Sequence, residues 1–111
     1  GNLLACRAGL AVIEFMEVND VLKHVGELGS WALAELQTRT ENLPRVKEIR
    51  GLGLMLAIEL NTAAGPYLKS LLGKGILALS AGKKNIRLLP PLTITKTEMA
   101  EGIDTLVEVL G

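Results

Sequence analysis

The sequence predicts an α+β two-layer sandwich: a small, mainly antiparallel sheet with helices on one face, preceded by a long apolar helix. Three observations lead there. Hydrophobic residues make up 49% of the 111 positions while aromatics reach only 3%, so the core must be aliphatic. Apolar residues recur at helical spacing in the N-terminal and C-terminal thirds, and short continuous apolar runs bounded by glycine or proline fill the middle. The patterns run helix, helix, strand, helix, strand, strand, helix, and strands with helices packed on one side make a two-layer sandwich.

Residues 3–16 are apolar nearly all round, broken by Arg7 and Glu14, which share a face. A helix of that kind is expected to be buried on most sides. Cys6 within it is then a buried, inert thiol, and as the only cysteine it allows no internal disulfide. Val18, Asn19 and Asp20 mark a break with cap-forming residues. Residues 20–40 form a second helix with Val21, Val25, Leu28, Ala32 and Leu36 on its apolar face. Gly26 and Gly29 weaken it by roughly 1 kcal/mol each but admit a close neighbour. His24, Leu28 and Trp31 run along one flank, with His24 at the rim.

VKEIRGLGLMLAIEL, residues 46–60, reads as one strand, or two bent at the glycines, ending buried in the sheet. Pro66 suits the first turn of a short helix over 67–72, closing at Gly73 or Gly75. Residues 76–79 and 86–89 are two short strands around an 80–85 loop. Thr95 and Glu98 form a capping box that opens a last amphipathic helix, with Met99, Ile103, Leu106 and Leu110 on its buried face.

Several functions are excluded at this stage. Twelve basic and twelve acidic residues leave no basic excess for nucleic acid. One histidine and one cysteine cannot make a zinc site. No run of 18 apolar residues speaks for a membrane span. Gly51 and Gly53 begin a dinucleotide fingerprint, but its third glycine is missing and a strand follows, so a bulge or close backbone approach is the better reading. Lys83 and Lys84 sit in no phosphate-loop spacing and read as a solvated turn. That leaves Arg87, a guanidinium between Ile86 and Leu88 just before Pro90 and Pro91. It is either paired with a nearby carboxylate or snorkelling, or it holds a ligand's carboxylate in a two-pronged grip.

Three stretches bear a family resemblance. GNLLACRAGLAVIEFME resembles the segment Gly-Asn-Pro-Leu-Ala-Cys-Ala-Ala-Ala-Leu-Ala that opens the inter-domain helix of class III pyridoxal-phosphate aminotransferases. VKEIRGLGLMLAIEL is similar to their Val-Arg-Gly-x-Gly-Leu-Met strand, and LLGKGILALSAGKKNIRLLPPLTITKTEM to their closing block. The likeness spans essentially the whole chain and is nearest the acetylornithine, acetyl-lysine and succinylornithine branch. Leu3 replaces a usual proline and Ala57 a common glycine; both read as packing variants.

The resemblance implies the C-terminal small domain of a fold-type I aminotransferase. Residues 1–17 would be an inter-domain helix segment and residues 18–111 the small domain, with the large cofactor-binding domain outside this chain. It implies a parent that moves an amino group from N-acetylornithine, or a similar N-acyl diamino acid, to 2-oxoglutarate in arginine or lysine biosynthesis. The parent would be cytoplasmic and homodimeric, use pyridoxal 5'-phosphate, and bind neither nucleic acid nor membrane. Arg87 matches the arginine that fixes the substrate α-carboxylate. No catalytic, cofactor-binding or metal residue is expected in this chain: Lys23, Lys47, Lys69, Lys74, Lys83, Lys84 and Lys96 match no Schiff-base stretch. Alone it should be inactive and carry no cofactor. The alternatives are a non-catalytic α+β interaction or dimerisation domain using its apolar helix, or a small-molecule sensor anchored by Arg87.

Overall fold

The computed structural model describes residues 3–111. Gly1 and Asn2, which open the first family-like stretch, lie outside the described residues. The element order is α1 (Leu3–Val18), α2 (Val21–Thr40), β1 (Val46–Leu52), β2 (Met55–Leu60), α3 (Gly65–Gly73), β3 (Leu79–Ser80), β4 (Asn85–Leu88) and α4 (Lys96–Leu110). The strands form one antiparallel sheet in the order β1-β2-β4-β3.

Alternation along the strands separates two faces. Ile49, Leu56, Ile58, Leu60 and Ile86 turn inward and meet Leu28, Ala32 and Leu36 of α2, Leu71 of α3, and Met99, Ile103, Leu106 and Leu110 of α4. Helices α2, α3 and α4 therefore cover one face, as the sequence predicts. The largest fully buried side chains are leucines and isoleucines, each worth about 1.5–3 kcal/mol of transfer free energy. The opposite face carries Glu48, Arg50, Ala57, Glu59, Asn85 and Arg87, none of them buried.

Helix α1 forms where expected, but none of its residues is buried. Its main neighbour is α2, so most of its apolar surface faces outward. Cys6 is exposed for the same reason, which corrects the expectation of a buried thiol. The break between α1 and α2 falls at Asp20, whose φ of 51° is left-handed and tolerated by aspartate. Asp20 makes no side-chain cap; instead Asn19 Nδ2 donates back to the Phe15 carbonyl at 2.9 Å.

The 46–60 stretch is two strands. Leu52 pairs with Met55, leaving Gly53 (φ 57°) and Leu54 as the turn residues. A positive φ at the first of two turn residues favours glycine there. Gly51 serves close approach: a Cβ there would lie 2.5 Å from Leu56 Cδ2. The irregularity in the β1–β2 ladder lies between Val46 and Glu48, away from both glycines.

The 76–79 strand shrinks to Leu79 and Ser80. Its first amide is claimed elsewhere: Ile76 N–H donates to Leu71 O (2.9 Å), beside Gly75 N–H to Leu72 O (3.0 Å), with Gly75 at φ 85°. That paired closure of α3 is a Schellman ending, so Ile76 finishes a helix.

The capping box is complete. Glu98 N–H donates to Thr95 Oγ1 (3.1 Å), and Glu98 Oε1 accepts from Thr95 N–H (3.1 Å). Thr95→Ala is expected to lower stability by about 1 kcal/mol in chemical denaturation. The Thr95 backbone N–H, then its hydroxyl, holds the Glu98 carboxyl below its ordinary value, against a weak opposing effect of burial. A depressed folded value means the contribution is complete above the unfolded value and lost as pH falls through the folded one. Melts of wild type and Glu98→Gln should therefore converge as pH drops through the carboxylate range. A pH-independent gap would contradict this.

Candidate functional site

Arg87 lies on β4, flanked in sequence by Ile86 and Leu88, whose side chains turn to the core face. The strand pleat sends Arg87 to the uncovered face. There the register aligns Arg50 of β1, Ala57 of β2, Arg87 of β4 and Leu79 of β3 in one row. Arg87 is half-buried among them. The small Ala57 side chain is its neighbour on one side, so nothing bulky stands between Arg87 and Arg50.

The carboxylates nearest in the register already have other partners. Glu48 Oε2 lies 3.3 Å from Arg50 Nη1, and Glu59 Oε2 lies 3.9 Å from Lys47 Nζ. Arg50 also donates from Nη2 to Asn85 Oδ1 at 3.1 Å, reaching across β2 to β4. Among the described residues the Arg87 guanidinium has no hydrogen bond or ion pair. Of the readings left open by the sequence, the carboxylate-paired arginine is not what the fold builds; a half-buried side chain with a free guanidinium fits both snorkelling and ligand binding. A planar fork held on a strand, facing outward with unclaimed donors, suits a carboxylate gripped by two parallel bonds.

Two clefts flank this region. One, of about 450 Å³, runs between the end of β4 and α4, lined by Ile76, Leu88, Pro91, Ile94, Met99 and Ile103 among others. The other, also about 450 Å³, lies at the turn end of the sheet among Leu22, Val25, Gly53, Met55, Leu89 and Pro90. Both are mainly apolar, and Arg87 lines neither. Among the described residues no group of three His, Cys, Asp or Glu could hold a metal ion, and no helix is long and apolar enough to cross a membrane.

Comparison with known proteins decides the family. Residues 1–110 match the model of aminotransferase class III. The chain belongs to the class III aminotransferases. An acetylornithine aminotransferase of Bacillus subtilis is 38% identical over 111 residues, covering 100% of this chain and 29% of the relative. "Ornithine aminotransferase 1" of Staphylococcus saprophyticus is 36% identical over 110 residues, 99% of this chain and 27% of the relative. The crystal structure of acetylornithine aminotransferase from Elizabethkingia anophelis superposes with a TM-score of 0.92 at 25% identity, over 96% of this chain and 28% of that one. A Bacillus anthracis aminotransferase also gives 0.92, at 27% identity, over 98% and 28%. The chain thus spans less than a third of the length of these class III relatives.

A class III aminotransferase is expected to use pyridoxal phosphate, and the described residues do not fit its anchorage. All seven lysines are exposed, whereas a Schiff-base lysine is activated by desolvation or a neighbouring cation. Sequence reasoning pointed to Arg87 but missed the placement of two other residues. Arg50 became visible only through the register, and His24, read as a rim residue, is half-buried and bonded to Ile94 O at 2.7 Å.

Proposed function

We propose that this chain is the C-terminal small domain of a pyridoxal-phosphate-dependent aminotransferase, with residues 1–17 as an inter-domain helix segment and 18–111 as the domain. The whole protein would transfer an amino group from N-acetylornithine, or a similar N-acyl diamino acid, to 2-oxoglutarate, in arginine or lysine biosynthesis. It would act as a cytoplasmic homodimer. The observation that carries this is Arg87, held on the open sheet face with its donors unclaimed. Its role is to fix the substrate α-carboxylate, so that the amine is presented away from the sheet. A charge-assisted pair of this kind is worth about 1.5–3 kcal/mol. The relatives named acetylornithine aminotransferase support the donor class, and those named ornithine aminotransferase mark the nearest competitor. The surface setting of every lysine supports an inactive 111-residue chain, with cofactor held by residues elsewhere.

The exposed apolar face of α1 favours a second reading, a non-catalytic interaction domain. Leu3, Leu4, Ile13 and Phe15 are all at least half exposed, and a patch of that kind seeks a partner. One experiment separates the two. Amino transfer to 2-oxoglutarate from N-acetylornithine and from ornithine would be measured for the full-length protein and for the 111-residue chain. Turnover by the longer protein alone, faster with N-acetylornithine, is the expected result. No turnover by either, with self-association of the short chain in sedimentation, would establish the interaction domain instead.

A further inference from the structure

Two side chains of α2 reach the end of the segment joining β4 to α4 and the first residue of α4. His24 donates from Nε2 to the Ile94 carbonyl at 2.7 Å, across 70 residues of sequence. A carbonyl only accepts, so the imidazole proton must sit on Nε2. Seven residues further along α2, the Trp31 ring lies with the Lys96 ammonium 4.8 Å from its centroid, a cation–π distance. These contacts hold the chain on either side of the Thr95 cap, at Ile94 just before it and at Lys96, the first residue of α4.

Between Arg87 and Ile94 the chain has little freedom. Pro90 and Pro91 fix two φ angles, and the Ile94 amide donates to Pro91 O at 3.0 Å. A shift at Ile94 is therefore passed back towards β4. The same segment places Leu89, Pro90 and Leu92 on one side of the turn-end cleft, opposite Leu22 and Val25 of α2. Leu89 is two residues beyond Arg87.

We infer that His24 is a positioning residue for the carboxylate site: its bond to Ile94 holds the Pro90–Pro91 loop, and through that loop the end of β4 that carries Arg87. The inference deepens the proposed function and rests on the carboxylate role of Arg87. His24 touches no reacting atom, so losing the tether weakens substrate binding more than it slows chemistry.

The test uses the full-length protein with His24→Leu, which removes the donor, and His24→Gln, whose amide N–H can replace it. His24→Leu is expected to raise KM for the amino-acid donor about five-fold, the equivalent of one ordinary hydrogen bond. Its kcat should stay within about two-fold, and His24→Gln should restore KM. An unchanged KM, an equal loss in His24→Gln, or a fall confined to kcat overturns the inference. Arg87→Lys assayed in parallel separates the failures. If it is impaired while His24→Leu is normal, the tether alone is refuted. If it is normal, the carboxylate reading falls and the inference with it. Imidazole nitrogen NMR of the wild-type protein gives an independent check should His24→Leu not fold: a proton on Nδ1 rather than Nε2 overturns the inference.

Discussion

Arg87→Lys in the full-length protein is expected to lower kcat/KM for the amino-acid donor by about 10- to 100-fold. Arginine offers a rigid fork with two parallel donors, whereas lysine offers one rotatable point charge. The charge survives the substitution, so long-range attraction of the anion is retained and the loss measures the two-pronged geometry. Stability should change little. The residue stands on the uncovered face, outside the aliphatic core, and no described carboxylate depends on it. Steady-state kinetics and a thermal melt on the same preparation test both halves. Unchanged kinetics would sink the carboxylate assignment, and a large drop in melting temperature would show that Arg87 is structural.

Gly29→Ala should be the most damaging single-methyl change on α2. A Cβ at Gly29 would lie 2.2 Å from the Gly53 carbonyl oxygen and 2.8 Å from Gly53 Cα. Both are backbone atoms of the β1–β2 turn, which cannot swing away like a side chain. Helix and turn must separate, taking Leu28, Ala32 and Leu54 out of register with the core. Overpacking of this severity costs about 3 kcal/mol, more than the roughly 1 kcal/mol that alanine returns in helix propensity. Gly26→Ala is the matched control, since a Cβ there meets nothing within 4 Å. It should be neutral or stabilising by up to about 1 kcal/mol. Denaturant midpoints of the two variants should move apart. Equal midpoints would mean that the α2–turn approach is not a tight constraint.

The two glycines show where sequence reasoning stops. Both lie on one helix and both read as permitting a close neighbour. Only Gly29 has one, because only its side of α2 meets the β1–β2 turn. Helix α1 teaches the same lesson. Its apolar residues predicted burial, yet burial depends on how many neighbours surround a helix, and within this chain α2 is the main one. Ile76 was misread for a different reason. Its β-branched, apolar character suits a strand, but the left-handed Gly75 beside it commits its amide to closing α3.

What the sequence determined by itself is whatever depends on neighbours a few residues apart. The α4 capping box, its buried stripe of Met99, Ile103, Leu106 and Leu110, the α3 start at Pro66 and the aliphatic core all follow from local spacing. So does the family likeness, carried by ordered stretches along the chain. Tertiary structure alone decided the sheet order β1-β2-β4-β3, and with it the row that sets Ala57 and Arg50 beside Arg87. Tertiary structure also joined His24 to Ile94. Strand pairing and helix docking are made between residues tens of positions apart. Alternation could place Arg87 opposite Ile86 and Leu88, but only the packed helices decide which of those faces is left open.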